Sequence, residues 1–173
     1  MTRPDFVPSG PALKALILSH CTRKNVRWRE HSHNDYSCYP YKPVYVRRSS
    51  SSYYTVHTPI HVFKKVIANR ADAIANLIIP AGAVIYVHPH AFDKDANWTT
   101  SRKMRATEAF VHSIATCRKK VSCNTARSGH DSKFKYTVCS TVKPTLPFDY
   151  QRYQCGSGIH FFVNLADAKG WGR

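Results

Sequence analysis

Short apolar segments recur along the chain after residue 59, and their lengths are typical of β-strands. Residues 106–115 fit neither the helical nor the strand period, so they form either a strand or a short helix. Gly82 lies between two apolar segments and suits a tight turn. We predict strands at residues 61–68, 73–79, 83–87, 133–138 and 158–163.

A short helix is predicted near the end of the chain. Asn164 can cap Leu165–Gly170 with its side chain, and Asp167 complements the helix dipole from the first turn. With residues 106–115 counted as a sixth strand, residues 59–173 are expected to form a β-rich α+β domain of about six strands.

Residues 1–58 differ in composition and are predicted to form a long irregular arm. A serine run at 49–52 and several prolines loosen regular structure there. One short helix is expected at 11–20, with Pro11 at its first position. The chain is therefore divided into an arm, 1–58, and a domain, 59–173.

Tyrosines and basic residues are concentrated in this arm. Large aromatic rings and arginine contribute most of the affinity at protein interfaces, so we expect the arm to bind a partner. A tyrosine-rich loop that packs on the protein itself is the alternative. The predicted partner-binding residues are Arg23, Lys24, Arg27, Trp28, Arg29, Tyr39, Tyr41, Tyr45, Arg47, Arg48, Tyr53 and Tyr54.

The excess of positive charge is the feature of the composition that says most about possible partners. The 26 Lys and Arg residues and 10 Asp and Glu residues give a net charge of +16. Such a charge favours nucleic acid, acidic protein surfaces or anionic lipid, although a solvated basic surface is the alternative. Because the charge is spread along the chain, we expect contacts on several sides. Beyond the arm, the basic groups are Lys64, Lys65, Arg102, Lys103, Arg105, Arg118, Lys119 and Lys120.

Membrane spans and a secretory signal are not expected. No apolar run approaches the roughly 20 residues that a membrane helix requires. The first ten residues contain Asp5 and two prolines where a signal peptide has an apolar centre. The six cysteines are therefore expected to be reduced thiols, with disulfides as the alternative.

A zinc site is not predicted. Cys21, His31, His33 and Cys38 cluster in the sequence. Structural zinc sites use ligands paired at short spacing, which this cluster lacks. Exposed histidines and buried thiols are the favoured interpretation.

Catalytic residues and cofactors are not predicted either. Cys155, His160 and Asp149 are candidates for a cysteine nucleophile with its base and orienting acid, but their spacing does not bring them together. A core cysteine beside a strand histidine is favoured. No phosphate loop or dinucleotide-binding motif occurs.

Four segments carry a family resemblance. They are VFKKVIANR at 62–70, NLIIPAGAVIY at 76–86, KMRATEAFVHSI at 103–114 and YQCGSGIHFFVNLADAKGW at 153–171. Through them, the chain from residue 57 onward resembles a domain of unknown function that recurs in nucleocytoplasmic large DNA viruses, sometimes beside pentapeptide repeats. The resemblance implies a viral source. The residues before 58 lie outside the segment that resembles this domain.

The last segment also has a more distant likeness. Its Gly-Ile-His-Phe-Phe stretch at 158–162 is similar to the Gly-Ile-Tyr-Phe strand of ADP-ribosyltransferases. Glu30 and Glu108 fall outside the segments where that family holds its catalytic glutamate. The likeness therefore implies at most a catalytically inactive relative.

We expect a structural component of a large DNA virus particle, namely a minor capsid or cement protein. It would bind neighbouring capsid proteins, major and minor, through the arm and the domain surface, and it would also contact packaged nucleic acid. Its expected locations are the virion and, during assembly, the host cytoplasm. The alternatives are a sequence-independent nucleic-acid-binding protein and an inactive ADP-ribosyltransferase-like domain. No small-molecule substrate is expected.

Overall fold

Two antiparallel β-sheets and two α-helices make up the described part of the chain. The sheets have five and six strands, so the protein is β-rich, as predicted. No helix in the described part is long and apolar enough to span a membrane. The computed structural model describes residues 10–31, 45–93, 102–150 and 156–172, with the backbone alone at 25–31, 45–51 and 89.

The helices are α1 (Gly10–His20) and α2 (Leu165–Gly170), and a short 3-10 helix covers Pro89–Phe92. The strands are β1 (Cys21–His31), β2 (Tyr45–Val56), β3 (Ile60–Ala68), β4 (Ala71–Ile79), β5 (Val84–Tyr86), β6 (Met104–Ala106), β7 (Ala109–Thr116), β8 (Thr125–Ser128), β9 (Lys135–Thr137), β10 (Thr141–Val142) and β11 (Ile159–Phe161).

The five-stranded sheet has the order β1-β2-β5-β6-β11. β1 pairs with β2 from Cys21 opposite Val56 to His31 opposite Tyr45. β5, in contrast, pairs with β2 at residues 53–55. β1 and β2 therefore continue past β5 as a two-stranded ribbon, which we define as residues 26–31 and 45–50.

The six-stranded sheet has the order β10-β7-β4-β3-β8-β9. β3 and β4 form a hairpin that runs from Ile60 opposite Ile79 to Ala68 opposite Ala71. Its two turn residues, 69 and 70, have φ angles of 50° and 59°. Such left-handed backbone matches the twist of a tight hairpin.

One hydrophobic core joins the two sheets. Alternate residues of β3 and β4 face this core, as the period of a strand requires. Helix α1 and strand β2 contribute to the same core from the N-terminal side. Its buried members include Leu13, Ile17, Tyr54, Val56, Val62, Leu77, Ile85, Val111 and Phe161.

The two sheets meet where β11, an edge strand of the five-stranded sheet, lies beside β3. After β11, the backbone of Phe162 exchanges two hydrogen bonds with that of Phe63, at 2.7 and 2.8 Å. Helix α2 follows at once. The side chain of Asn164 accepts a hydrogen bond from the amide of Ala166 over 3.0 Å, so the predicted helix and its cap are confirmed.

Six strand predictions are confirmed with shifted bounds, at β3, β4, β5, β7, β9 and β11. The segment around 106–115 is a strand, not a helix. The count of about six strands is nevertheless too low, because β1, β2, β6, β8 and β10 were not predicted. These strands are short or polar, and β2, β6, β8 and β10 each pair with a strand that is not their neighbour in the sequence.

The prediction of an irregular arm is wrong for residues 21–31 and 45–56. α1 agrees with the helix predicted at 11–20, but β1 and β2 are regular strands. Cross-strand hydrogen bonding compensates for the weak strand propensity of the serine run. The boundary between arm and domain stays a prediction, although α1 and β2 share a core with residues beyond it.

Candidate functional site

Two of the predicted partner-binding tyrosines lie in the interior. Tyr53 is fully buried and Tyr54 is 3% exposed. A partner cannot reach these rings in the folded chain, so the prediction is wrong for both. Arg23 is exposed, and the half-buried Lys24 places its ammonium 5.8 Å from the ring centroid of Tyr150. For Arg23 and Lys24, partner binding stays a prediction.

The other predicted partner-binding residues lie outside the described side chains, and their role stays a prediction. The backbone register places Trp28 opposite Arg48 and Arg29 opposite Arg47. The ribbon sequence therefore contains four arginines and one glutamate. The residues concerned are Arg27, Trp28, Arg29, Tyr45, Arg47 and Arg48 in the ribbon, and Tyr39 and Tyr41 outside the described residues.

A buried arginine explains why Tyr53 belongs to the core. The guanidinium carbon of Arg105 lies 5.0 Å from the ring centroid of Tyr86 and 4.6 Å from that of Phe148. Arg105 donates hydrogen bonds to the Tyr53 hydroxyl, at 3.2 Å, and to the backbone oxygen of Ser157, at 2.8 Å. Burial raises the pKa of Tyr53 to about 12, against the opposing effect of Arg105. We interpret this group as a stabilising cluster.

The four described cysteines are free thiols: Cys21, Cys117, Cys123 and Cys139. Burial raises the pKa of Cys21 to about 11, so this thiol is neutral and unreactive near pH 7. No set of three potential metal ligands occurs within 10–31, 45–93, 102–150 or 156–172. Cys38 and His33 lie outside these ranges, so the expectation about zinc stays a prediction.

The residues considered for catalysis do not form a described site. Cys155 lies outside the described residues, whereas His160 and Asp149 lie within them. The expectation that these three residues do not form a catalytic group therefore stays a prediction. The carboxylate of Glu108 lies 3.7 Å from the ammonium of Lys143 in an ion pair. The side chain of Glu30 is among those not described.

Four exposed cations gather at one end of the six-stranded sheet. Arg70 lies in the turn between β3 and β4, and Arg118, Lys119 and Lys120 lie in the turn after β7. We name these four residues the basic end. All four side chains face solvent.

Hydrogen bonds join the two turns of the basic end. The amide of Cys117 donates to the backbone oxygen of Asp72 over 2.8 Å. The side-chain amide of Asn69 donates to the sulfur of Cys123 over 3.4 Å. The nearby carboxylate of Asp72 is engaged by Lys65 at 3.0 Å. The scaffold is thus held in place while the four cations remain exposed.

A cleft of about 300 Å³ opens where β3, β11 and α2 meet. We name it the lysine cleft. Three lysines and two histidines line it, together with one carboxylate and an aromatic wall. The side chains that matter here are Lys64, Lys65, Lys103, His130, His160 and Trp171.

Lys64 interrupts the apolar row of β3. Ile60, Val62 and Val66 are buried on the core side of this strand, and the strand period places Lys64 on the same side. Its ammonium lies 5.8 Å from the ring centroid of the buried Tyr136. A cation therefore occupies a position of β3 at which the alternation of buried apolar residues predicts an aliphatic side chain.

The surroundings of Lys64 disfavour its charge. Its ammonium donates a hydrogen bond to the backbone oxygen of His160 over 3.1 Å. Burial and, to a lesser degree, the positive charge of Lys103 lower the pKa of Lys64 to about 8. Within the described part of the chain, no carboxylate forms an ion pair with Lys64.

The other two lysines of the cleft are held by defined contacts. Lys65 forms the ion pair with Asp72 and donates a hydrogen bond to the backbone oxygen of Trp171 over 3.0 Å. The ammonium of Lys103 lies 4.6 Å from the ring centroid of Trp171. All three lysines thus line the same cleft with their side chains held by defined contacts.

Sequence reasoning named these basic residues as spread charge and missed their grouping. The grouping depends on β8 and on the meeting of β3 with β11, neither of which a local pattern reveals. One signal was available, namely Lys64 within the alternating apolar positions of β3. A charged residue at a core-facing strand position indicates a cleft or a buried partner.

Comparison with known proteins supplies the family. A family model described as a family of unknown function (DUF5758) matches residues 43–168. Comparisons with curated proteins and with solved structures give no match. The family match begins at residue 43, so the expectation that the residues before 58 lie outside the family is wrong for residues 43–57, which include β2. Because the match covers most of the chain, the protein belongs to the DUF5758 family of unknown function.

Proposed function

We propose that this protein binds nucleic acid without sequence preference, as a non-enzymatic component of a large DNA virus. The basic end is the observation that carries the proposal. Arg70, Arg118, Lys119 and Lys120 present four exposed cations from two joined turns. Phosphate backbones release condensed counterions when lysine and arginine replace them, which makes such a surface an effective phosphate contact.

The apolar surface also favours a charged partner. The large hydrophobic side chains exposed within the described ranges are Leu18, Val121 and Leu146. They lie in different segments, whereas protein interfaces are organised around clustered aromatic and apolar anchors. The burial of Tyr53 and Tyr54 removes two of the anchors that the sequence had suggested.

Sequence independence follows from the form of the basic end. Direct reading of bases requires side chains that enter a groove on a helix or a strand pair. The basic end consists of turns with long cationic side chains, which suit contacts to phosphate oxygens. The net charge of +16 strengthens this attraction at a distance.

Fluorescence anisotropy with labelled 20-mers of two unrelated sequences tests the proposal. Each sequence is used as a single strand and as a duplex, with sodium chloride varied between 50 and 300 mM. We expect equal affinities for both sequences and a slope of about −3 for the logarithm of affinity against that of salt. A slope near zero, or a preference for one sequence above about tenfold, would contradict the proposal.

A second candidate function is the binding of neighbouring capsid proteins in the virion. The ribbon favours it, because residues 26–31 and 45–50 extend past the pairing of β2 with β5. A projecting ribbon can add to the sheet edge of another protein through main-chain hydrogen bonds. The tyrosines and arginines of this region would supply side-chain contacts.

Replacing residues 26–50 by an Asn-Gly turn tests this second function and keeps the parts of β1 and β2 that pair near the core. Virions carrying the shortened protein would be purified, treated with nuclease and analysed by quantitative mass spectrometry. Loss of the shortened protein from the capsid fraction is expected if the ribbon binds capsid proteins. Retention at the unaltered copy number would rule out the ribbon as the attachment.

A further inference from the structure

We propose that the lysine cleft is a binding site for a phosphate group, presented by a small phosphate ester or by a nucleic-acid backbone. This site is separate from the basic end, and it rests on the proposed function where nucleic acid is the source. The lining carries the ammonium groups of Lys64, Lys65 and Lys103 against the single carboxylate of Asp72. His130 and His160 also line the cleft.

The position of Lys64 is the strongest argument for an anion. Its charge lies between the two sheets, near the ring of Tyr136 and on the side of β3 that Val62 and Val66 occupy. Burying a cation is costly unless an anion compensates it. A phosphate at the opening of the cleft would supply that anion to Lys64.

The contacts of the lysines leave the site preorganised. Lys65 is fixed by Asp72 and by the backbone of Trp171, at 3.0 Å each. Lys103 rests on the Trp171 ring, and Lys64 is anchored to the backbone of His160. Side chains held in this way lose little entropy when they bind a ligand, which raises affinity.

A doubly charged anion fits this arrangement better than a carboxylate. Lysines bind phosphate as point charges, and several ammonium groups can surround its separate oxygens. The volume of about 300 Å³ lies at the lower end for small-molecule sites. The cleft can therefore admit a phosphate together with a small attached group.

NMR titration of the 15N-labelled full chain with inorganic phosphate tests the site. Sodium chloride keeps the ionic strength constant, so that general screening does not change. We expect saturable shifts at the amides that line the cleft, including Lys64, Gly129 and Trp171, and no saturable shift at Lys119. Shifts confined to the basic end, or none that saturate, would overturn the proposal.

Two variants assign the effect to the cleft. Lys64→Met keeps the length of the side chain and removes the charge, and we expect phosphate affinity to fall at least about tenfold. Lys135→Met makes the same change at an exposed position outside the cleft, with an expected effect below about twofold. If Lys64→Met does not fold, Lys103→Met takes its place with the same expectation. Unchanged affinity in the folded cleft variant would overturn the proposal.

Two further titrations distinguish the sources of the phosphate. Adenosine monophosphate represents a small ester, and an oligonucleotide without terminal phosphates represents the backbone. Cleft shifts with the monophosphate assign a small ester, and cleft shifts with the oligonucleotide assign nucleic acid. DNA binding by the basic end is measured separately, by anisotropy with variants of Arg118, Lys119 and Lys120. A failure of that test does not change the phosphate-induced NMR shifts in the lysine cleft. Failure of either idea can thus be recognised separately.

Discussion

The ammonium group of Lys64 on β3 donates a hydrogen bond of 3.1 Å to the backbone oxygen of His160 on β11. This bond links the two sheets where β11 lies beside β3, next to the Phe63 and Phe162 backbone pair. It also holds a cation in surroundings that disfavour its charge. The free-energy cost of this buried charge arises at the cleft to which we assign phosphate binding.

The pH dependence of stability should reveal the cost of burying Lys64. Its pKa is about 8 in the folded state and near its ordinary 10.5 when unfolded. Below pH 8 both states are protonated and the folded state bears the full cost. Between pH 8 and 10.5 the folded state has released the proton that the unfolded state keeps, so stability rises with pH.

Urea denaturation of wild type and Lys64→Met, with a reductant present, measures this effect. The wild type should gain about 2 kcal/mol relative to Lys64→Met between pH 7 and 9.5. Cys21 and the tyrosines also titrate at high pH, but both proteins contain them. Their contributions to the pH dependence of the unfolding free energy therefore cancel in the comparison. A difference that does not change with pH would show that Lys64 is not perturbed by burial.

The ion pair of Arg102 and Asp167 should stabilise the attachment of α2. The two side chains are 15% and 10% exposed and lie 3.5 Å apart. Burial raises the pKa of Asp167, and Arg102 opposes that rise. Arg102→Met should therefore destabilise the fold by about 2 kcal/mol at pH 7, because it leaves a carboxylate without its cation.

This loss should shrink as the pH falls toward the raised pKa of Asp167, since the folded state then takes up a proton more readily than the unfolded state. The double variant Arg102→Met, Asp167→Asn should recover part of the loss at pH 7. Thermal unfolding followed by circular dichroism measures both effects. A double variant no more stable than Arg102→Met would contradict this account of the pair.

Helix α1 should be part of the core and not of a detachable arm. Ile17 is fully buried, whereas its neighbour Leu18 is 50% exposed. Ile17→Ala should cost about 2–4 kcal/mol of unfolding free energy, and the matched control Leu18→Ala less than about 0.5 kcal/mol. Equal urea midpoints for the two variants would show that α1 does not pack as described.

Removal of residues 1–56 should prevent folding. It would take away β2, expose the edge of β5, and delete core residues such as Tyr54 and Val56. The amide NMR spectrum of 57–173 is expected to show the narrow dispersion of an unfolded chain. A well-dispersed spectrum would instead support the predicted division of the chain at residue 58.

Local patterns were sufficient for the elements that carry their own signal. The apolar alternation of β3 and the Asn164 cap of α2 are encoded within a few neighbouring residues. β1 and β2 are different, because polar strands are stabilised by pairing across a long connection. Tyr53 was misjudged for the same reason, since its burial depends on Arg105, a distant residue on another strand.

The candidate sites required the assembled fold. Arg70 and Lys119 are far apart in the sequence, and the bond between Cys117 and Asp72 brings their turns together. The lysine cleft likewise combines β3 with segments that follow much later. Charge composition could indicate an anionic partner, but it could not locate the surface that would bind it.

The most direct test of the proposed function compares three matched proteins in DNA-binding anisotropy at varied salt. One carries Arg118→Gln, Lys119→Gln and Lys120→Gln at the basic end. The control carries Lys14→Gln, Lys133→Gln and Lys143→Gln, the same loss of charge at three other exposed positions. The third is the wild type. If nucleic acid binds at the basic end, the loss of three of its four cations lowers the magnitude of the salt slope by about 2 to 3, and the control lowers it by less than about 1. Equal slopes for the two variants would contradict the account and leave net charge alone as the source of binding.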